Sequence, residues 1–301
     1  MNILLTGASG FIGQSLSSFS FRNVVRNNHE ANGKSHFFID DLNSKTNWDG
    51  AFESIDVVVH LAGLAHKLKV DNNDFHECNY LATLHLAKLA AISGVKRFVF
   101  ISTIGVNGSY SNAKEPFSPK SIPKPFNYFS QSKYNAEIGL RAISKKTGME
   151  LVIIRPPLVY GPNAPGNFGS LVRLIQKTPV LPFGSINNSR DFISVQNLAD
   201  LILVCSSHPA AAGHTFLPSD SQRVSIKDFT NAISKGIGTN LIQLPVPLFL
   251  MLFAGKLFGK TKMIEQLFGN LEVNSSNLFE ILDWTPPYSM EESMSFLKQK
   301  K

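Results

Sequence analysis

Short apolar runs punctuate the first half of the chain at 2–5, 23–25, 37–39, 56–61, 97–101 and 151–155, each of strand length. Between them, the stretches 11–19, 73–93 and 130–146 carry apolar residues at helical spacing. Strand-length runs alternating with helical stretches predict β-α-β units and hence a parallel sheet. The runs Asp56-Val-Val-Val-His60 and Arg97-Phe-Val-Phe-Ile101 are apolar almost throughout. Strands covered by helices on both faces read this way, so these two are expected at the sheet centre.

Directly after the first apolar run, residues 5 to 13 read Leu-Thr-Gly-Ala-Ser-Gly-Phe-Ile-Gly, a G-x-x-G-x-x-G turn between a strand and a helix. Gly7 turns sharply off the strand, Gly10 lets the backbone approach a phosphate, and Gly13 lets the helix pack close to the sheet. The helix start then faces negative charge, which points to the pyrophosphate of a dinucleotide. Ser9, Phe11 and Ile12 complete this loop.

After Arg155-Pro156-Pro157 the rhythm loosens into shorter strands, many prolines and helices near 167–177, 196–207, 225–236, 246–258 and 288–298. The expected fold class is α/β: a Rossmann-type doubly wound parallel sheet with a smaller, partly interleaved C-terminal substrate lobe. Residues 1–160 form the expected dinucleotide-binding domain and 161–301 the lobe, with segments near 190–210 returning to the main sheet.

Composition narrows the class. With 301 residues, 43% of them hydrophobic and 17% charged, the chain reads as a soluble globular protein. The net charge of +7 suits an anionic partner, but Lys and Arg are scattered, with small clusters only at Lys256/Lys260/Lys262 and Lys298/Lys300/Lys301. No aromatic-interleaved basic stretch accompanies them, so a phosphorylated small molecule is expected rather than a nucleic acid. Cys78 and Cys205 lie far apart in helical stretches, which fits buried thiols in a reducing cytoplasm. Residues 1 to 13 read as strand and turn, not as a signal peptide. The most apolar segment, Leu244 to Gly255, is too short to span a bilayer, which takes about 20 apolar residues. A buried or interfacial helix is the expectation there, with docking on a membrane surface as the alternative.

The wider set of motifs is now recognisable. The opening glycines, His60-Leu-Ala-Gly63, Asn79 ahead of Thr83, Phe98-Val-Phe-Ile-Ser-Thr103, Ser132-Lys133 with Ala136-Glu137, and Arg155-Pro-Pro-Leu-Val-Tyr-Gly161 follow the order of the extended short-chain dehydrogenases. Gly166-Asn-Phe168, Arg190-Asp-Phe-Ile-Ser-Val195 and Leu282-Asp-Trp-Thr-Pro286 extend the match almost end to end. The chain therefore resembles the NAD-dependent epimerase/dehydratase family. The resemblance implies hydride transfer between C4 of a nucleotide sugar and a nicotinamide, while a proton leaves or joins O4. In the family a Tyr moves that proton, a Lys four residues later lowers its pKa and holds the nicotinamide ribose, and a Ser or Thr hydrogen-bonds the sugar.

Thr103 and Lys133 match the hydroxyl and lysine positions, whereas four residues before Lys133 stands Phe129, with Tyr128 one place earlier. A four-residue step keeps two helical side chains on one face, while a fifth residue turns the side chain roughly 100° away. Phenylalanine fills the space of tyrosine but carries no proton. The chain reads as a naturally altered member or as a variant with the tyrosine replaced, and a bulged helix start would let Tyr128 substitute.

The same resemblance assigns the cofactor contacts. Asp41 and Leu42 match positions that meet the adenine, Leu61, Ala62 and Gly63 line the pyrophosphate and ribose, Asn79 is a further cofactor-binding position, and Pro156 with Pro157 touches the nicotinamide. An acidic residue at the end of the second strand selects NAD and an arginine selects NADP; here Arg26, with Arg22 nearby, tips the expectation to NADP(H) over NAD(H). Asn167 and Arg190 match contacts to the nucleotide diphosphate, a role suited to the guanidinium fork. The expected activity is 4-keto reduction of a UDP-4-keto-6-deoxy-N-acetylhexosamine for surface polysaccharide. The alternatives are a UDP-sugar 4-epimerase and a catalytically silent nucleotide-sugar binding protein, with a homodimer left open.

Other chemistries lack their residues. Gly33-Lys34-Ser35 ends like a phosphate-binding P-loop, but Asn28 stands where the first glycine is required. The eight histidines show no metal spacing, no G-x-S-x-G elbow is present, and His60 reads as a core histidine.

Overall fold

The computed structural model describes residues 1–26, 36–65, 71–112, 115–257 and 267–298. Asn28 and the Gly33-Lys34-Ser35 segment lie outside the described residues, as do Lys260, Lys262, Lys300 and Lys301.

Strands β1 (Ile3–Thr6), β2 (Arg22–Arg26), β3 (His36–Ile39), β4 (Val57–His60), β5 (Arg97–Ile101) and β6 (Glu150–Ile154) form the body of one parallel sheet. Later in the chain come β7 (Leu158–Tyr160), β8 (Val180–Leu181), β9 (Phe192–Ser194), β10 (Thr215–Phe216) and β11 (Ile242–Gln243). The order in the large sheet is β10-β6-β5-β4-β1-β2-β3. Every residue of β4 and β5 is buried, which is why both runs are apolar and why they sit centrally. The chain runs outward from β1 to β3 and then crosses back to β4 on β1's other side. The crevice above β1 and β4 is therefore the topological switch point, where ligands bind in such sheets.

Two helical expectations need correction. Helix α1 is a single turn, Phe11–Gln14, and not 11–19. Its continuation keeps tighter bonds, Ser15 N to Ile12 O, Leu16 N to Gly13 O and Ser17 N to Gln14 O. Ser15 Oγ also donates to Ile12 O at 2.6 Å, the local competition that makes serine a weak helix interior residue. The stretch 73–93 is interrupted: α2 (Asn72–Phe75) passes through a π-helical turn at His76–Leu81 into α3 (Ala82–Ile92).

Among the described residues the remaining α-helices are α4 (Tyr128–Thr147), α5 (Gly166–Lys177), α6 (Val195–Ser207), α7 (Ile226–Ile237), α8 (Leu248–Leu257), α9 (Ser276–Leu282) and α10 (Met290–Ser295). One core cluster lies on one face of the sheet with α3 and α4. The other face is covered by α6 and by Leu278, Leu282 and Trp284, so the C-terminal third contributes to the packing of the large sheet. The strand that returns to the sheet is β10, which pairs with β6 beyond the expected 190–210 window. A third cluster, with Tyr160, Phe168, Phe192 and Phe229, forms the lobe, where the Phe192 and Phe229 rings stack 3.8 Å apart.

Candidate active site

The glycine turn is built as its residue types require. Gly7 has φ +79°, and a Cβ there would meet Ala62 N at 2.7 Å. A Cβ on Gly13 would meet Gly7 O at 2.2 Å, so only glycine lets this turn close against the strand. Gly10 N donates to Gly7 O at 2.9 Å and is therefore not offered to a ligand. The first α1 bond runs from Gln14 N to Gly10 O, which leaves Phe11 and Ile12 without acceptors in their own helix. Those two N–H groups, beside exposed Ser9 and Gly10, fit a pyrophosphate.

At the adjoining strand end, Thr6 faces His60 across the β1/β4 ladder. Thr83 Oγ1 donates to Asn79 O at 2.8 Å, so it accepts from His60 Nε2 at 2.9 Å, and His60 Nδ1 accepts from Thr6 Oγ1 at 2.7 Å. Burial, helped by the charge of Lys133, pushes the His60 pKa down to about 3. His60 is the satisfied core histidine expected, not a base.

Asn79 lies in the π-helical turn, which rotates it inward. Its Oδ1 accepts from Leu64 N at 2.7 Å, and its Nδ2 donates to Leu64 O and to Ser132 Oγ at 3.0 and 3.1 Å. Asn79 thus positions the Leu61-Ala62-Gly63 loop and spends its own polar atoms on protein partners.

Lys133 is buried, not a solvated helix lysine. Its Nζ donates to Ile101 O at 3.0 Å and lies 4.6 Å from the Phe100 ring centroid, leaving two N–H groups for other acceptors. A Cβ on Gly63 would come within 3.3 Å of that nitrogen, so the pyrophosphate loop and the lysine are neighbours. Burial lowers the Lys133 pKa to about 8 against the opposing pull of Cys78 and Glu137. Burial also pushes the Cys78 and Cys205 thiols up, as suits inert cysteines.

The start of α4 fixes where Tyr128 and Phe129 stand relative to Lys133. Asn127 caps it, accepting from Ser130 N at 2.8 Å while Ser130 Oγ accepts from Asn127 N at 3.1 Å. The helix is regular from Tyr128 onward, so no bulge brings Tyr128 onto the face of Lys133. The substitute role given to Tyr128 loses that geometric basis; the ring is 63% exposed. Phe129 sits one turn before Lys133, half-buried against Phe75 with ring centroids 6.3 Å apart. Thr103 Oγ1 accepts from Gly105 N at 3.1 Å, and its hydroxyl proton remains available. Next to it, Ile104 N donates to Pro156 O, which ties the Thr103 loop to the buried Pro156-Pro157 segment.

Arg26 pairs with Asp41 at 3.6 Å, both exposed at the ends of β2 and β3, while Leu42 N donates to Asp41 Oδ1. In the lobe, Asn167 is exposed in the first turn of α5. Arg190 Nη1 donates to Gly269 O at 2.6 Å; burial lowers its pKa to about 10, and it stays cationic at neutral pH. No hydrogen bond or ion pair joins Asn167 and Arg190 directly among those of the described residues.

One group of residues had no role in the sequence reading. Glu137, one turn after Lys133, is fully buried and accepts from Arg155 Nε at 2.9 Å, from Arg155 Nη2 and from Ser102 Oγ at 2.6 Å, while Arg155 Nη1 donates to Asn107. This ion pair joins α4 to the ends of β5 and β6 with its donors satisfied. The four-residue step from Lys133 was visible, but the Arg155 partner was not.

The chain matches the NAD dependent epimerase/dehydratase family over residues 3–217. It is 39% identical over 303 residues to a UDP-glucose 4-epimerase from Vibrio cholerae, covering 97% of this chain and 92% of that protein. It is 26% identical over 265 residues to the N-acetyl-alpha-D-glucosaminyl-diphospho-ditrans,octacis-undecaprenol 4-epimerase of Escherichia coli O157:H7, covering 83% and 77% of the two chains. Among solved structures, UDP-N-acetylglucosamine 4-epimerase from Bacillus cereus superposes with a TM-score of 0.78 over 99% of this chain and 98% of that one, at 18% identity. The protein belongs to the NAD dependent epimerase/dehydratase family of nucleotide-sugar enzymes.

Proposed function

We propose that this chain is an NAD(H)-linked UDP-sugar 4-epimerase site that binds cofactor and substrate and turns over slowly because phenylalanine holds the acid/base position. The observation that carries the reading is the placement of Phe129 one regular helical turn before a buried Lys133, at the carboxyl ends of β4 and β5. A bound nicotinamide supplies the hydride acceptor and donor for sugar C4. Lys133 offers two N–H groups to the nicotinamide ribose, and Thr103 offers its hydroxyl proton to sugar O4. The N–H groups of Phe11 and Ile12, which have no acceptor in their own helix, hold the pyrophosphate. Arg190, with Asn167, draws the nucleotide diphosphate into the lobe.

Similarity to named 4-epimerases supports epimerisation over the expected 4-keto reduction. The Arg26–Asp41 pair weakens the NADP(H) preference for a separate reason. Asp41 offsets the guanidinium charge and repels a 2′-phosphate, whereas a carboxylate accepts from a 2′-hydroxyl.

The test is the interconversion of UDP-glucose with UDP-galactose and of the two UDP-N-acetylhexosamines, alongside calorimetry with NAD and UDP. Binding of both ligands with slow turnover is expected. Phe129→Tyr raises the rate about 100-fold or more, the scale of a positioned acid/base, and Tyr128→Phe leaves it unchanged. A fast rate abolished by Tyr128→Phe overturns the assignment. Ligand binding without turnover even in Phe129→Tyr favours the silent binding protein instead.

A further inference from the structure

Helix α8, Leu248-Phe-Leu-Met-Leu-Phe-Ala-Gly-Lys-Leu257, carries one charged residue, Lys256, and no polar face. A helix that is apolar all round needs cover on every side. Met251 finds it in the core of the lobe, but Phe249, Phe253 and Leu257 are 67%, 63% and 69% exposed. These three stand at four-residue steps and so share one stripe, flanked by exposed Leu250. Exposed Leu244 and Leu248 extend the apolar surface at the helix start. A contiguous patch of this kind marks an interaction surface, whereas single exposed apolar residues do not.

Charge selects the occupant. No carboxylate occurs in the sequence between Asp228 and Glu265, while Lys256 is followed in sequence by Lys260 and Lys262 as the next charged residues. Lys256 is exposed in the last turn of α8 and makes no ion pair among the described residues. A second copy of the chain meeting this face about a two-fold axis brings Lys256 towards its own counterpart, and the stretch of sequence that carries α8 offers no carboxylate to pair with it. An apolar stripe with an exposed cation at its edge matches a bilayer with anionic headgroups. Ten residues of helix are about 15 Å long, half the hydrocarbon thickness of about 30 Å, so α8 lies in the interface and does not cross.

We propose that α8 docks the C-terminal lobe on an anionic bilayer surface, with Phe249, Phe253 and Leu257 at the headgroup boundary and Lys256 among the lipid phosphates. The proposal is independent of the reaction catalysed. It is tested by co-sedimentation of the full chain with phosphatidylcholine vesicles made with and without phosphatidylglycerol. Binding only to vesicles containing phosphatidylglycerol is expected. Phe249→Ser with Phe253→Ser lowers it tenfold or more, and Lys256→Gln lowers it about fivefold, the equivalent of ~1 kcal/mol for one basic residue near an anionic surface. Unchanged circular dichroism and thermal melting of the variants establish that they fold. Absence of vesicle binding overturns the proposal, as does binding that survives the double serine substitution. Sedimentation equilibrium showing a dimer that the same substitutions convert to monomer assigns the face to a second copy instead.

Discussion

His60 and Lys133 show how one buried neighbourhood treats two basic side chains differently. His60 is held neutral between two threonine hydroxyls, with its pKa lowered to about 3. The unfolded histidine titrates near its ordinary 6.5, so between these values the unfolded chain binds one more proton than the folded one. The stability that neutral His60 allows is complete above pH 6.5 and falls as pH drops, by ~1.4 kcal/mol per unit. Urea unfolding of His60→Asn from pH 6.5 to 4 is expected to be less stable overall and to lose about one proton of this slope. Lys133 keeps its proton at neutral pH and has spare donors, the condition required for holding a ribose. Its four-residue step to Phe129 was legible from sequence because helical phase is local. Its contact with Ile101 was not, because β5 and α4 are distant in sequence.

At the level of elements, the π-helical turn His76–Leu81 carries the largest structural consequence. One extra residue in the helical repeat rotates Asn79 so that it bridges the loop after β4 to Ser132 on α4. Nothing in the apolar pattern of 73–93 distinguishes this turn from α-helix, since hydrophobic spacing tolerates a single inserted residue. Asn79→Ala is expected to leave Leu64 N and Ser132 with lost partners, lowering stability by about 1–3 kcal/mol in urea unfolding. Calorimetry of the same variant is expected to show weaker NAD binding, because the Ala62-Gly63 backbone loses its tether. In helix α1 the converse holds: the apolar spacing of 11–19 is helical, but the Ser15 side chain bonds back to Ile12 O where the regular helix ends.

Across the whole molecule, the two halves are joined by buried polar groups as well as by packing. Asp220 accepts from Tyr160 Oη at 2.6 Å, from Ser194 N and from Asn197 Nδ2 at 2.7 Å, and Asn197 in turn bonds Tyr288. These partners tie β7, β9, the start of α6 and the segment before α10 to one carboxyl group. Burial raises the Asp220 pKa against those hydrogen bonds, and raises that of Tyr160 as well. Asp220→Ala strands several buried donors at once, so a loss of about 3 kcal/mol or more is expected in urea unfolding. Asp220→Asn retains one acceptor and is expected to lose less.

By itself the sequence determined what depends on neighbours along the chain: the apolar runs of β1, β4 and β5, the glycines at 7 and 13, and the phase of Phe129 against Lys133. These follow from backbone sterics, strand burial and helical periodicity, which act within a few residues. Only the tertiary structure decided the pairings between remote segments. The Glu137–Arg155 ion pair, the Arg26–Asp41 pair, the return of β10 to the sheet and the covering of its face by Trp284 all belong to this group. Each joins residues whose types permit many partners, and which partner is met depends on how the sheet and its helices pack.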